Sequence, residues 1–177
     1  MKLIDNLIQA AKVACGYSAN VGLNDTVKVW HATAHIVHRN AAGDILFEET
    51  TKPNVKTTVG IDFTFSQTYG QAAQASGLTY IALSNDTLTE TTASTTLSTE
   101  IAANGLSRAV GAFAHTAGTS TCTVSKTFTC ATAPQSAQKA ALFSAASTGT
   151  MHHALAFTQR ALQIGDTLAV TFTITLT

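Results

Sequence analysis

The stretch that most constrains what this chain can fold into is its last. After Gly165-Asp166-Thr167, the residues Leu168, Val170, Phe172, Ile174 and Leu176 alternate with Ala169, Thr171, Thr173, Thr175 and Thr177. Successive side chains of a strand point to opposite faces, so this segment as a strand has one apolar face and one face made mostly of threonine. The Gly-Asp pair in front of it is turn chemistry. The expectation is a terminal strand locked into a sheet, with no tail beyond it. Ser120 to Cys130 repeats the pattern, with Cys122, Val124, Lys126, Phe128 and Cys130 on one side and threonine or serine on the other.

Other segments divide in the same way. Val27 to His38 is rich in β-branched and aromatic residues and reads as a strand. Arg39-Asn40-Ala41-Ala42-Gly43-Asp44 is a connection, and Ile45-Leu46-Phe47-Glu48-Glu49 returns as the second strand of a hairpin. Pro53-Asn54 breaks the pattern. Residues 55–75 read two ways: Val59, Ile61, Phe63 and Phe65 alternate as in a strand, and the segment also fits a helix after Pro53-Asn54, which is the preferred reading. Leu78 to Ser84 is a strand closed by Asn85-Asp86-Thr87. Residues 87–99 read as an exposed loop with one helical turn near Leu97 to Ala102, ended by Asn104-Gly105. Leu106 to His115 is a strand, and residues 137–146 and 150–157 are two more, separated by Ser147-Thr148-Gly149. About eight short strands punctuated by turns predict a mainly β fold, an antiparallel β-sandwich or jelly roll, with an N-terminal helix and one further helix.

The N-terminal helix is read from Leu3, Ile4, Leu7, Ile8, Ala11, Ala14 and Cys15, which fall at helical spacing with Asp5, Asn6, Gln9 and Lys12 opposite and Gly16 as the stop. The expected division is a helical arm over residues 1–22 and a β-sandwich domain over 23–177. The apolar stripe has two readings. It packs on the domain's own core, or it docks on a neighbouring subunit through Leu3, Leu7, Ile8 and Ala11.

Charge narrows the function. Only 11% of the 177 residues are charged, against about 25% in ordinary globular chains, and ten basic residues balance ten acidic ones. Nucleic-acid binding needs a cationic excess that is missing here. So little charge also gives weak protection against self-association, which suits a surface covered by neighbours in an assembly. Asp5 and Gln9 interrupt the first apolar residues, so no signal peptide is expected. No window approaches the roughly 20 apolar residues of a membrane span. The expectation is a soluble chain made in the cytoplasm, with no membrane partner. Cys15, Cys122 and Cys130 are odd in number, lack metal-type spacing and are expected to be reduced thiols.

Candidate chemistry is sparse. His31 and His35 would share a face on a helix and chelate an ion, but on a strand they stand about 13 Å apart, too far for one ion. Ala32 occupies the position where a metalloprotease helix needs its glutamate. His152 and His153 point opposite ways on a strand, and His115 stands alone. Cys122 and Cys130 lie about 27 Å apart on one continuous strand and meet only if a turn falls between them. No nucleophile elbow or phosphate-cradling loop is present, and Glu48 and Glu49 face apart. No enzyme activity, cofactor or metal is expected. Asn24-Asp25-Thr26 and Asn85-Asp86-Thr87 match the glycosylation pattern, which carries no weight without a secretory signal.

Several phrases together resemble small virion structural proteins of tailed bacteriophages. They are Val37-His38-Arg39-Asn40-Ala41-Ala42-Gly43-Asp44-Ile45-Leu46-Phe47-Glu48-Glu49, Tyr80-Ile81-Ala82-Leu83-Ser84-Asn85-Asp86, and Gly105-Leu106-Ser107-Arg108-Ala109. They continue with Lys126-Thr127-Phe128-Thr129, Ala141-Leu142-Phe143-Ser144-Ala145 and Gly165-Asp166-Thr167-Leu168-Ala169-Val170-Thr171-Phe172. The resemblance spans residues 27–177 and implies a non-catalytic particle component, a head decoration, tail or fibre-type protein assembled in the host cytoplasm. It transfers no site residues. The expected function is a capsid decoration or cement protein that binds as an oligomer to major capsid or other virion proteins. The alternatives are a tail, collar or fibre accessory protein and, in a different class, a receptor- or carbohydrate-binding module. The last needs an aromatic platform, and Trp30 is the only tryptophan.

Overall fold

The computed structural model describes residues 30–51, 55–69 and 77–176. The expected N-terminal arm, the interface residues Leu3, Leu7, Ile8 and Ala11, and the 22/23 boundary lie outside the described residues. In chain order the elements are β1 (Trp30–Arg39), β2 (Ile45–Thr50), β3 (Val55–Lys56), α1 (Thr58–Tyr69), β4 (Tyr80–Ser84), β5 (Ala109–Val110), β6 (Ala112–His115), β7 (Thr121–Thr129), β8 (Gln135–Phe143), β9 (Met151–Leu162) and β10 (Thr167–Leu176). They pair into two antiparallel sheets. Sheet A has the order β2-β1-β10-β7-β6, and sheet B has the order β3-β9-β8-β4-β5. The fold of the described residues is therefore mainly β with one helix, and its strands follow the alternating patterns.

The alternation translates directly into burial. Leu168, Val170 and Phe172 of β10 are fully buried, while Ala169, Thr171, Thr173 and Thr175 are half-buried. β10 lies between β1 and β7, in register from Arg39↔Thr167 to Trp30↔Leu176 on one side and from Thr167↔Thr129 to Thr175↔Thr121 on the other. Ala32, Ala34 and Ile36 of β1 and Val124 and Phe128 of β7 share the inward side. They belong to one buried cluster with Ile81 and Leu83 of β4, Leu142 of β8 and Leu155 and Phe157 of β9. Each large side chain removed from water in this way stabilises the fold by about 1.5–3 kcal/mol before conformational entropy is counted.

The β1–β2 hairpin closes where turn chemistry was read. Asn40 Oδ1 accepts from the amides of Ala42 and Asp44, at 3.0 and 2.9 Å, and Gly43 takes the positive φ that the turn requires.

The helix reading of residues 55–75 holds for Thr58–Tyr69, with Val55–Lys56 pairing to β9 as a short strand. Thr57 is its N-cap. Its Oγ1 accepts from the Gly60 amide at 3.1 Å and donates to the Met151 carbonyl at 2.5 Å, so one buried hydroxyl both starts the helix and ties it to β9. The helix then lies so close to β9 that a Cβ at Gly60 would stand 2.7 Å from His152 Cα.

Two expectations are corrected. Leu106 to His115 is not one strand: β5 pairs with β4 in sheet B, β6 pairs with β7 in sheet A, and the chain changes sheets at Gly111. A Cβ there would lie 2.8 Å from the Ser125 carbonyl oxygen, so only glycine lets the backbone make this crossing. Residues 97–102 form no helical turn. Glu100 instead bridges Ser84, and the Ile101 amide donates to the Leu83 carbonyl at 2.8 Å, which uses the segment to extend the edge of β4. Two boundaries also shift, with β8 ending at Phe143 and β9 running on to Leu162.

Candidate functional site

The two sheets treat their outer faces differently. On the outer side of sheet B, Ala82, Ala141, Phe143, Met151 and Ala154 form a second buried cluster with Leu97 of the long β4–β5 loop, and α1 packs on β9. Arg108 clamps that loop. It makes two hydrogen bonds to the Glu100 carboxylate at 2.9 and 2.5 Å, donates to the Ala145 and Thr148 carbonyls, and stacks its guanidinium 3.6 Å over the Phe143 ring. Sheet B thus covers its own back.

Sheet A does not. Among the described elements no helix or further sheet packs on its outer side. That side carries rows set by register: His31, Thr175 and Thr121; Thr33, Thr173 and Thr123; His35, Thr171 and Ser125. Neighbouring rows stand about 7 Å apart along the strands and about 4.8 Å across them. Ala112 and Ala114 of β6 extend the same face. Hydroxyls and methyl groups dominate its centre, and the hydrogen bond between His35 Nε2 and Glu48 Oε1, at 2.8 Å, lies towards the β2 edge. Lysine and glutamate, which usually keep a sheet face or edge from pairing with other chains, are missing from the central rows.

The described histidines are dispersed except for His152 and His153, whose rings are in contact. His38 turns inward at the end of β1 and is buried against Asp166, with Nε2 3.0 Å from Oδ2. His115 Nδ1 lies 2.8 Å from the Thr121 carbonyl. The expectation that His152 and His153 point opposite ways is corrected: β9 bulges at His152, between the pairs Leu142↔His153 and Phe143↔Met151, and the two ring centroids lie 4.4 Å apart. Nε2 of His152 meets the Thr64 hydroxyl of α1 at 2.7 Å, whereas neither ring nitrogen of His153 has a hydrogen-bond partner. Burial, reinforced by Lys56, lowers the His152 pKa to about 4. Burial, then His152 and Lys56, lowers that of His153 to about 2. Both rings are therefore neutral at physiological pH. Among the described residues no group of three His, Cys, Asp or Glu side chains is placed to hold a metal ion.

His153 lines a cavity of about 380 Å³ together with Leu78, Phe113, Cys122, Leu142 and Ile174. Its walls come from both sheets and are almost entirely apolar. Cys122 and Cys130 are free thiols, each with its pKa raised by burial, on or just beyond the continuous strand β7. A thiol held protonated by burial is a poor nucleophile. Among the described residues no helix is long and apolar enough to cross a membrane.

The threonine alternation is legible in the sequence, but not which sheet's outer face the β4–β5 loop and α1 cover. That asymmetry depends on where the β4–β5 loop and α1 settle, which no local pattern encodes. Comparison with protein-family models, curated proteins and solved structures finds no match to the chain.

Proposed function

We propose that this protein is a non-enzymatic structural component of a tailed-bacteriophage virion, a capsid decoration or cement protein that binds the particle as an oligomer. The observation that carries the reading is the outer face of sheet A, a weakly charged threonine surface in register across β1, β10 and β7. Such a face can be dehydrated at small electrostatic cost, and repetition of one contact around a closed shell multiplies a modest energy per copy. The phrase-level resemblance over residues 27–177 supplies the particle context.

In this reading the two sheets are the layers of a β-sandwich, supported by the buried cluster to which both contribute. The pairing of the first described strand with the last supports a jelly-roll relationship, although four neighbouring pairs, β1–β2, β4–β5, β6–β7 and β8–β9, are consecutive in sequence and give a more hairpin-like order.

Quantitative mass spectrometry of purified heads and purified tails tests the proposal. Recovery from tail-less heads at a copy number comparable to the major capsid protein supports it. Recovery from tails alone, at low copy number, replaces it with the tail, collar or fibre reading. Absence from both overturns the virion role.

A further inference from the structure

Lys139 is a buried cation in a chain with few charges. It stands on β8, opposite Ser84 of β4, and its side chain is 3% exposed. Asp86 follows Ser84 just past the end of β4, and Glu90 lies farther along the same loop. The Lys139 ammonium contacts Asp86 Oδ1 directly, and its Nζ lies 3.2 Å from Glu90 Oε1. The two carboxylate side chains are 14% and 10% exposed. The groove around them is walled by Val55, Leu88, Ala154, Leu155 and Phe157.

The loop is held in this position from several directions. The Gln138 amide donates to the Asn85 carbonyl at 2.6 Å, the Ser84 hydroxyl to the Ser98 carbonyl at 2.6 Å, and the Leu88 amide to Asp86 Oδ1 at 3.2 Å. Amine and carboxyl are thus presented to each other by fixed backbone, which is how proximity turns a slow bimolecular reaction into an effective unimolecular one. As an ion-paired cluster the arrangement is uneconomical. Two carboxylates face one ammonium in a groove whose remaining walls include Val55, Leu88, Leu155 and Phe157.

We propose that Lys139 and Asp86 join in an intramolecular isopeptide bond, with Glu90 carrying the proton. The ammonium gives a proton to Glu90, and the freed Nζ lone pair adds to Asp86 Cγ. One Cγ–O bond then breaks, and that oxygen leaves as water with two protons that began on nitrogen, one of them returned by Glu90. An ammonium and a carboxylate become one secondary amide and one water, with no oxidant and no change in Glu90. Burial pulls the Asp86 carboxyl upward, but Lys139, the Ser98 hydroxyl and the Leu88 amide together pull it down further, so the resting pair is ionic and the reactive neutral form arises by proton transfer inside the cluster. The product removes two buried charges and fastens the β4–β5 loop to the centre of sheet B. The inference is independent of the particle role.

Intact-mass spectrometry of the purified full chain is the test, followed by peptide mapping. The expected wild-type mass is one water below the sum of its residues, with a branched peptide joining Lys139 to Asp86. Lys139→Arg should show its full calculated mass, and Glu90→Gln should accumulate the uncrosslinked form. Wild-type protein that keeps its full mass after prolonged incubation overturns the proposal. So does a water loss confined to an unbranched peptide, the mark of ring closure at an aspartate.

Discussion

His38 Nε2 lies 3.0 Å from Asp166 Oδ2, and the pair joins the end of β1 to the turn that launches β10 across 128 positions of sequence. Both side chains are buried, at 3% and 6% exposure. Asp166 Oδ2 also accepts from the Gln163 amide at 2.9 Å, and the Asp166 carbonyl accepts from the Cys130 amide, so one residue organises three chain segments. Removing the imidazole leaves a buried carboxylate short of a donor. His38→Ala is expected to cost about 1–3 kcal/mol in urea denaturation, with His38→Gln recovering part of it. An unchanged midpoint for His38→Ala would show that the pair holds nothing.

The contact of α1 with β9 predicts a second loss. At Gly60 an added methyl would meet His152 backbone at 2.7 Å, and backbone cannot rotate away. Alanine favours a helix interior by about 1 kcal/mol over glycine, but overpacking at a rigid contact costs about 1–3 kcal/mol. Gly60→Ala should therefore lower the melting temperature. A rise would mean that the helix can lift off β9 without penalty.

Acid should destabilise the fold in two stages. His152 and His153 are held neutral in the folded state, with pKa values near 4 and 2, whereas the unfolded chain protonates them near 6.5. Their contribution is complete above the unfolded value and falls as pH drops through it, by up to about 1.4 kcal/mol per pH unit for each ring, until the folded value is reached. Asp166 acts at lower pH. The Gln163 amide leads the groups that lower its pKa, so its stabilisation is present above the ordinary carboxylate range and is lost below it. Urea midpoints at pH 7.5, 5.5 and 3.5 should fall in that order, and a flat profile from 7.5 to 5.5 would contradict buried neutral histidines.

His153 offers a gain. Its two ring nitrogens are buried without partners, so a leucine of similar size removes an unmet polar demand. His153→Leu is expected to stabilise the protein by about 1 kcal/mol and to flatten the pH profile above pH 5. Destabilisation would indicate that the ring has a partner when the protein is in its working state.

The proposed contact face can be tested at its centre. Thr173 lies between Thr33 and Thr123 and is half-buried. Thr173→Lys should change monomer stability by no more than about 0.5 kcal/mol, yet abolish self-association in sedimentation and incorporation into particles. Wild-type incorporation would remove the face from consideration.

Much of this architecture was legible in residue patterns. The alternation in β7 and β10 predicted both strands and their buried sides, and Asn40 to Asp44 predicted the first hairpin. The helix after Pro53-Asn54 is the preferred of two readings, since Val59, Ile61, Phe63 and Phe65 satisfy the period of a strand as well; Thr57 capping and Gly60 packing on His152 settle it. Leu106 to His115 looked continuous because nothing local marks Gly111 as a crossing. The partnership of His38 with Asp166, and of Lys139 with Asp86 and Glu90, had no local signal.

The sequence by itself determined which side of each strand would seek the interior, because a period of two is written into successive residues. Only the tertiary structure decided which sheet each strand joins, which polar residues meet across long separations, and which outer face the β4–β5 loop and α1 cover. Those outcomes depend on how loops and helix settle when many apolar faces are buried together, and that collective balance has no counterpart in any single stretch of chain.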